Sequence, residues 1–218
     1  MNYFIRILIV IGIIFSNAPY AFCGAQIMSD SELDSISAGG LDINVDAVLS
    51  LRQSAAISQC NVAATSGFSN TGTNISNLNS ATIMSAIGSV SVNQKNMAYV
   101  VATEGDVANA FIDNLNYAYV DSMDPDPEIT QENVAMLIAM NGSVRDCAIS
   151  NVNTVEFPGQ ASNAILKMNN ISVVVAQNSS NNSIINSNQI IYGNNPVTTQ
   201  QNEFTYSHNG LTATVTVN

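Results

Sequence analysis

Four acidic side chains lie close together in the middle of the chain and could bind a metal ion. Carboxylate oxygens are the ligands that Ca²⁺ takes in proteins. The segment lacks the spacing and the loop glycine of an EF-hand, and two prolines stiffen it. We therefore favour the interpretation that these acidic side chains are solvated, and we expect no cofactor. The weak candidate ligands are Asp121, Asp124, Asp126 and Glu128.

Nucleophilic catalysis would depend on very few residues. The chain has 1 His, no Trp and 3 Cys, so a Ser-His-Asp triad would rest wholly on His208. We therefore predict that this protein is not an enzyme. The charge balance excludes a further class, because 5 Lys+Arg against 16 Asp+Glu give a net charge of −11. Without a basic run, binding to nucleic acid or to an anionic membrane surface is not expected.

The N-terminus has the pattern of a secretory signal peptide. Arg6 supplies a positive charge, an apolar run follows at Ile7–Phe15, and small residues come next. The run is too short to span a bilayer, which needs about 20 apolar residues. We expect residues 1–25 to be removed by cleavage after Ala25, with a rival site after Cys23. A lipid-modified Cys23 is disfavoured because bulky Phe22 precedes it.

Removal of the signal would leave two cysteines in an oxidising compartment. An even pair of cysteines in an exported chain indicates a disulfide. The sequence therefore predicts that Cys60 and Cys147 pair within one chain. Segments that begin at these two residues also echo one another weakly, which leaves an internal duplication open.

A short capped segment follows the expected signal. Ser29 is suited to be an N-cap with Glu32 as its capping-box partner, and Leu33 and Ile36 share one face. The same string resembles the double-glycine leader of exported bacterial peptides. The residues that carry the resemblance are Ser29, Glu32, Leu33, Ile36, Gly39 and Gly40.

This resemblance implies a second maturation step. A papain-like leader peptidase on the exported side would cut after Gly40, so that residues 26–40 are a leader and residues 41–218 are one mature domain. The processing residues are then Ala25, Gly39 and Gly40. The expected location is the periplasm, the outer surface or the extracellular matrix, with no membrane span in the mature protein.

The mature domain is predicted to be mainly β. Short apolar runs such as Ile171–Ala176 alternate with Ser/Asn/Gly/Thr stretches, which is typical of stacked short strands in a solenoid-like or sandwich arrangement. A helix over Ala47–Ala56 is an option. The tail predicts a C-terminal β-hairpin around Asn209-Gly210, since Leu211, Ala213, Val215 and Val217 alternate on one face.

A helical insert is predicted near residues 104–140. Apolar residues between Val107 and Tyr119 recur at helical spacing, which indicates an amphipathic helix to about Asp121. A second helix is expected from Pro127 to Met140, with acidic residues in its first turn. Asn141-Gly142 would end it.

Side-chain amides dominate the polar composition, with 30 Asn and 10 Gln. Amides stacked in register along a sheet can pair, as in cross-β assemblies. Tyr99–Thr103 and Ile171–Ala176 fit such strands, and Gly88–Asn96 resembles the Asn/Gln/Val repeats of Fap-type functional amyloid subunits. The resemblance implies an exported surface or matrix structural protein, either a fibre or amyloid-like subunit or an accessory of one. Its expected partners are its own copies or other surface proteins. The alternative is a periplasmic or secreted β-rich binding module.

Overall fold

Every described element of this protein is a β-strand. The structure is a computed structural model that describes residues 40–50, 55–86, 88–122, 126–158, 164–192, 195–198, 202–208 and 211–217. The strands are β1 Gly40–Ser50, β2 Ala55–Gly67, β3 Asn70–Thr71, β4 Asn74–Ala86, β5 Val90–Ala102, β6 Val107–Ala108, β7 Phe111–Ser122, β8 Glu128–Ala139, β9 Ser143–Arg145, β10 Ala148–Phe157, β11 Ile165–Ala176, β12 Asn178–Ser180, β13 Ser183–Tyr192, β14 Asn195–Thr198, β15 Asn202–His208 and β16 Leu211–Val217.

The strands wind into a parallel β-solenoid. Successive coils add one strand to each of three sheets: sheet A in the order β1-β4-β7-β10-β13-β14, sheet B in the order β15-β16-β11-β8-β5-β2, and the short-stranded sheet C in the order β12-β9-β6-β3. Neighbouring coils pair in parallel, as Asn77 with Asn114 and Asn114 with Asn151 show. The stacked-strand prediction is therefore confirmed in its solenoid form.

Sheets A and B face each other across a core with three zones. Alternate residues of each strand point inward, so that Ile75, Ile112 and Ile149 stack in register beside sheet C. A second apolar cluster fills the opposite margin and contains Ile83, Val120 and Ile129. Between the two clusters runs a zone of buried Asn and Gln side chains.

The predicted helix ending near Asp121 is wrong, because this stretch forms β6 and β7. In β7 the inward side chains alternate with outward ones, and the inward ones include Asn114 and Asn116 at 0% exposure. Sequence patterning counts Asn as a surface residue. Two buried amides in the middle of a strand thus hide its period of 2 and leave apolar residues at an apparent helical spacing.

The second predicted helix is also wrong, since β8 occupies Glu128–Ala139. From Asn133 onward both faces of this strand are buried, so its apolar residues do not alternate with polar ones. A continuous apolar run of this length cannot be assigned to helix or strand by periodicity. The optional helix over residues 47–56 is likewise not found, because β1 extends to Ser50 and β2 begins at Ala55.

Antiparallel strands end the solenoid at its C-terminal side. Strand β14 pairs antiparallel with β13, and β16 pairs antiparallel with β11. Strands β15 and β16 pair antiparallel from Asn202 opposite Val217 to His208 opposite Leu211, while residues 209–210 lie outside the described residues. No helix in the described part of the chain is long and apolar enough to cross a membrane.

The repeat of the coils does not coincide with the weak sequence echo between the segments that begin at Cys60 and Cys147. Cys60 lies within β2 and pairs in register with Lys95, one coil later. Cys147 instead precedes β10 at a corner. The two residues therefore occupy different positions in the coil, and the echo does not mark the structural repeat.

Stacked glycines form one corner of the coil. A Cβ built on Gly142 would fall inside van der Waals distance of the carbonyl group of Gly105 in the preceding coil. Replacing Gly142 would therefore push two coils apart at a place where backbone faces backbone.

We predict that Gly142→Ala lowers the free energy of unfolding by about 1–3 kcal/mol, the usual cost of overpacking. The matched control is Gly67→Ala, whose added Cβ would lie 3.4 Å from the Ser69 carbonyl oxygen, an ordinary contact. Urea unfolding followed by circular dichroism measures both. Equal effects of the two substitutions would contradict the corner packing.

Candidate functional site

Two ladders of asparagine side chains run along sheet A. In each ladder the amide nitrogen of one coil donates to the amide oxygen of the next coil, as from Asn114 Nδ2 to Asn151 Oδ1 at 2.8 Å and from Asn116 Nδ2 to Asn153 Oδ1 at 2.9 Å. The spacing of these partners is 37 residues. The first ladder contains Asn77, Asn114, Asn151 and Asn186, and the second contains Asn79, Asn116, Asn153 and Asn188.

Sheet B carries one Asn ladder and one Gln ladder. Asn61, Asn96, Asn133 and Asn170 form the Asn ladder, with links of 3.0–3.1 Å that also donate toward the C-terminal coils. The Gln ladder donates the opposite way. Gln131 Nε2 donates to Gln94 Oε1 and Gln94 Nε2 donates to Gln59 Oε1, both at 2.8 Å.

The ladders of the two sheets are joined to each other. Asn116 Nδ2 contacts Asn133 Oδ1 at 2.9 Å, and Asn133 Nδ2 contacts Asn153 Oδ1 at 2.9 Å, so the links zigzag between the sheets. The same nitrogens approach backbone carbonyls of the facing sheet, for example Asn96 Nδ2 with Leu115 O at 3.0 Å. The amide zone thus joins the two sheets by hydrogen bonds and supplies the partners that buried polar groups need.

The ladders end at side chains that cannot continue them. Asn77 and Asn79 pair in register with Ile43 and Val45 of β1, and their Oδ1 atoms are buried without a hydrogen-bond partner. At the other side, Gln131 pairs with Met168, and its Oε1 also lacks a hydrogen-bond partner. The orphaned oxygens of Asn77, Asn79 and Gln131 therefore belong to residues that pair in register with an apolar residue at the end of their ladder.

The weak candidate metal ligands of the acidic segment are not brought together among the described residues. No group of three or more His, Cys, Asp or Glu there could hold an ion. Asp121 is the penultimate residue of β7 and is exposed. Asp126 precedes β8, and Glu128 Oε1 lies 3.2 Å from Lys167 Nζ. Asp124 lies outside the described residues.

The predicted disulfide between Cys60 and Cys147 is not found. Cys147 is a free, buried thiol whose Sγ donates to Arg145 O at 3.1 Å and accepts from Ala110 N at 3.4 Å. Burial raises the pKa of this thiol. Cys60 projects from the outer side of β2, because Gln59 and Asn61 on either side of it point into the core. The two cysteines therefore lie on different sides of sheet B.

Most of the predicted processing residues lie outside the described residues. This holds for Ala25, Gly39 and the recognition residues Ser29, Glu32, Leu33 and Ile36. Gly40 is the first residue of β1 and pairs with Asn74. His208 lies at the end of β15, opposite Leu211.

The outer face of sheet A presents tyrosines and carboxylates. Tyr117 Oη donates to Glu156 Oε2 at 2.6 Å. Burial and this carboxylate raise the pKa of Tyr117 to about 12. Asp46 of β1, Asp113 of β7 and Glu156 of β10 lie on this outward face.

The sequence contains a repeat that marks the ladders. In sheet A the pattern Asn-x-Asn recurs at Asn77, Asn114, Asn151 and Asn186, and in sheet B the pattern Gln-x-Asn recurs at Gln59, Gln94 and Gln131. The Asn and Gln content predicts amide pairing in register but does not reveal this period. A search for polar pairs at a fixed long spacing would have found it.

Comparisons with known proteins give no relative for this chain. No family model, no curated protein and no solved structure matches it.

We predict that Asn96→Leu lowers the free energy of unfolding by about 3 kcal/mol or more, because several buried amide partners would lose a hydrogen bond at once. Asn96 Oδ1 accepts from Asn79 at 2.9 Å and its Nδ2 contacts Asn116 Oδ1 at 3.0 Å. The control is Asn93→Leu in the same strand, where the side chain is exposed and the expected change is within about 0.5 kcal/mol. Chemical unfolding of the two variants compares them directly.

A second prediction concerns the end of the Gln ladder. We expect Met168→Gln to raise the free energy of unfolding by about 1 kcal/mol, because a new amide would donate to the orphaned Gln131 Oε1. The control is Leu166→Gln, which also points inward but pairs with Ile129, so it should destabilise by about 1–3 kcal/mol. If both substitutions destabilise equally, position 168 does not extend the ladder.

Proposed function

We propose that this protein is an exported bacterial structural protein of the cell surface or extracellular matrix, matured by removal of its N-terminal signal and leader. The observation that carries the proposal is the continuous amide zone. Its side chains use their hydrogen-bonding atoms on one another and on the facing backbone. A single molecule thus contains stacked strands and amide ladders like those of a cross-β fibre. Its long outer faces are then the surfaces that can contact other molecules.

The filled interior favours a structural role over a ligand-binding module. A binding sandwich would keep a cavity between its two sheets. Here Gln94 Nε2 of sheet B lies 2.8 Å from Tyr117 O of sheet A, and Gln131 Nε2 lies 3.0 Å from Thr154 O. These direct bonds bring the sheets together where a ligand would have to lie.

The ends of the solenoid favour association through its sides. At the N-terminal side, Ile43 and Val45 occupy the ladder positions and Asp46 is exposed on β1. At the C-terminal side, antiparallel β14 and β16 interrupt the parallel stack. Charges and changes of strand direction at sheet edges oppose edge-to-edge growth. The role of an accessory or lateral component thus fits better than that of an axially stacked fibre unit.

The proposal places the second cleavage at the start of the fold. A cut after Gly40 would leave β1 intact from Leu41, which pairs with Ile75. We predict that protein recovered from the cell surface begins at Leu41. Gly40→Leu should block this cut, because a leader peptidase with a narrow cleft excludes a side chain beside the scissile bond, whereas Leu41→Ile on the other side should be cut normally.

N-terminal sequencing of surface, periplasmic and cytosolic fractions measures this outcome. A terminus at Gln26 or Gly24 alone would contradict the leader but leave export standing. Protein that is found only in the cytosol with its N-terminal segment intact would contradict the proposed function itself. Thermal unfolding of Gly40→Leu separates a blocked cut from a damaged fold, since Gly40 belongs to β1.

A further inference from the structure

Strand β2 has one edge that pairs with no described strand. It is the last strand of sheet B at the N-terminal side, and its other edge pairs in parallel with β5, from Ala55 opposite Val90 to Gly67 opposite Ala102. The strand contains no charged residue and no proline. Native edge strands that do not pair further usually carry such residues to prevent pairing. This edge is therefore a template to which another strand can hydrogen-bond.

The backbone of β2 presents alternate residues to this edge. Ala55 N donates to Ser89 O at 2.9 Å, directly before β5, so Ala55 and the other odd-numbered residues of β2 bond to the β5 side. Successive residues of a parallel strand direct their backbone groups to opposite sides. The N–H and C=O groups of even-numbered residues such as Ser58 therefore point to the other edge, which we call the free edge of β2.

The Asn ladder of sheet B is incomplete at this strand. Asn96 Oδ1 accepts from two preceding amides, from Asn61 Nδ2 of sheet B at 3.1 Å and from Asn79 Nδ2 of sheet A at 2.9 Å. Asn61 Oδ1 has no hydrogen-bond partner. On the sheet A side, the position that precedes Asn79 is Val45, which has no amide. A preceding amide can therefore reach Asn61 Oδ1 only on a strand that pairs with the free edge of β2.

The Gln ladder, in contrast, is closed at the same strand. Gln59 Nε2 donates to Val45 O at 2.9 Å and to Ser80 O at 2.8 Å. Gln59 Oε1 accepts from Gln94 Nε2 at 2.8 Å. A strand that joined β2 would thus satisfy an orphaned oxygen with an amide opposite Asn61, whereas the residue opposite Gln59 does not have to be an amide.

A second copy of this chain does not supply such a strand. At the opposite end of the solenoid, β14 runs antiparallel to β13 and contains Pro196, and the edge strand β15 contains Glu203. Proline and charge at a sheet edge oppose pairing. Beside β2, moreover, Ile43 and Val45 already occupy the ladder positions of sheet A. The free edge of β2 therefore suits one added strand of another protein rather than a complete coil of a second copy.

We propose that the free edge of β2 binds an extended, uncharged segment of another surface protein that places an Asn side chain opposite Asn61. The segment pairs in parallel with β2, as β5 does on the other edge, and its Asn Nδ2 donates to Asn61 Oδ1. The inference rests on the proposed function in one respect, because it names a partner for the accessory role.

Binding of a synthetic peptide to the purified full chain tests the proposal. The peptide has the sequence of β5, Val90–Ala102, with Lys95→Ser to remove its charge. N-methyl groups on Asn93 and Met97 prevent other peptides from stacking on its outer edge. Hydrogen exchange read by mass spectrometry reports backbone protection. We expect the peptide to slow the exchange of the even-numbered N–H groups of β2.

Two matched substitutions in the peptide test the role of Asn61. Asn96→Val in the peptide should weaken binding about tenfold, because Asn61 Oδ1 again lacks a donor. Gln94→Val in the peptide should change the dissociation constant by less than about twofold, since Gln59 already has its partners. Fluorescence anisotropy of the labelled peptides measures both constants.

A variant of the protein shows whether the free edge of β2 is the binding site. Ser58→Pro removes an N–H group that points to this edge and keeps the bonds to β5, so we expect binding to weaken at least about tenfold. Ser58→Ala keeps the N–H group and should bind like the unchanged chain. Should Ser58→Pro fail to fold, a peptide with its N-methyl groups moved to Gln94 and Asn96, on the edge that faces β2, should likewise not bind.

Four results would overturn the proposal. They are absence of peptide binding, equal weakening by the two peptide substitutions, full binding to folded Ser58→Pro or by the peptide blocked on its facing edge, and protection of the even-numbered N–H groups of β2 in the full chain without peptide. The last result would show that another segment of the chain occupies the edge. None of them bears on export or cleavage, which N-terminal sequencing measures, so failure of this inference is distinguishable from failure of the proposed function.

Discussion

The requirement that buried amides find partners in register governs this fold. An Asn side chain in an apolar core is costly unless its donors and acceptors are used. In parallel in-register stacking, each amide meets an identical amide in the next coil, as Asn114 meets Asn151. A slip by one residue would turn Lys95 or Glu132 into the amide zone and turn Asn96 or Asn133 out. The ladders therefore specify the register more strictly than an apolar core would.

This constraint also explains why so few charges are present and where they lie. Inward positions must be apolar or able to join a ladder, so charged side chains of the long strands are confined to outward positions. There they pair across neighbouring coils, as Lys95 Nζ does with Glu132 Oε2 at 2.9 Å. The pair of Lys167 and Glu128 is exposed, and exposed pairs contribute little stability. The stability of the fold must come chiefly from the apolar margins and the satisfied amide zone.

Part of the fold could be predicted from the sequence. Short strands, stacking and paired amides followed from composition, and Ile171–Ala176 forms the end of β11. The helix predictions were wrong because Asn114 and Asn116 are buried, whereas patterning treats them as solvated. They were also wrong because both faces of β8 are buried from Asn133 onward. The disulfide prediction was wrong because it depended on the number of cysteines and took no account of their positions in the coil. The sequence also does not reveal the separate apolar cluster that contains Val134, Met136 and Ile138, because it predicts a helix for this stretch.

The direction of donation gives each ladder two different ends. The Asn ladders donate toward the C-terminal coils, so their unused oxygens lie at Asn61, Asn77 and Asn79 near the N-terminal side. The Gln ladder donates the other way, and its unused oxygen lies at Gln131. A further strand could join an Asn ladder at that end only by offering a donor, and in sheet A Ile43 and Val45 offer none. Two apolar residues of β1 therefore end both Asn ladders of sheet A at its N-terminal side, so that these ladders have a fixed length.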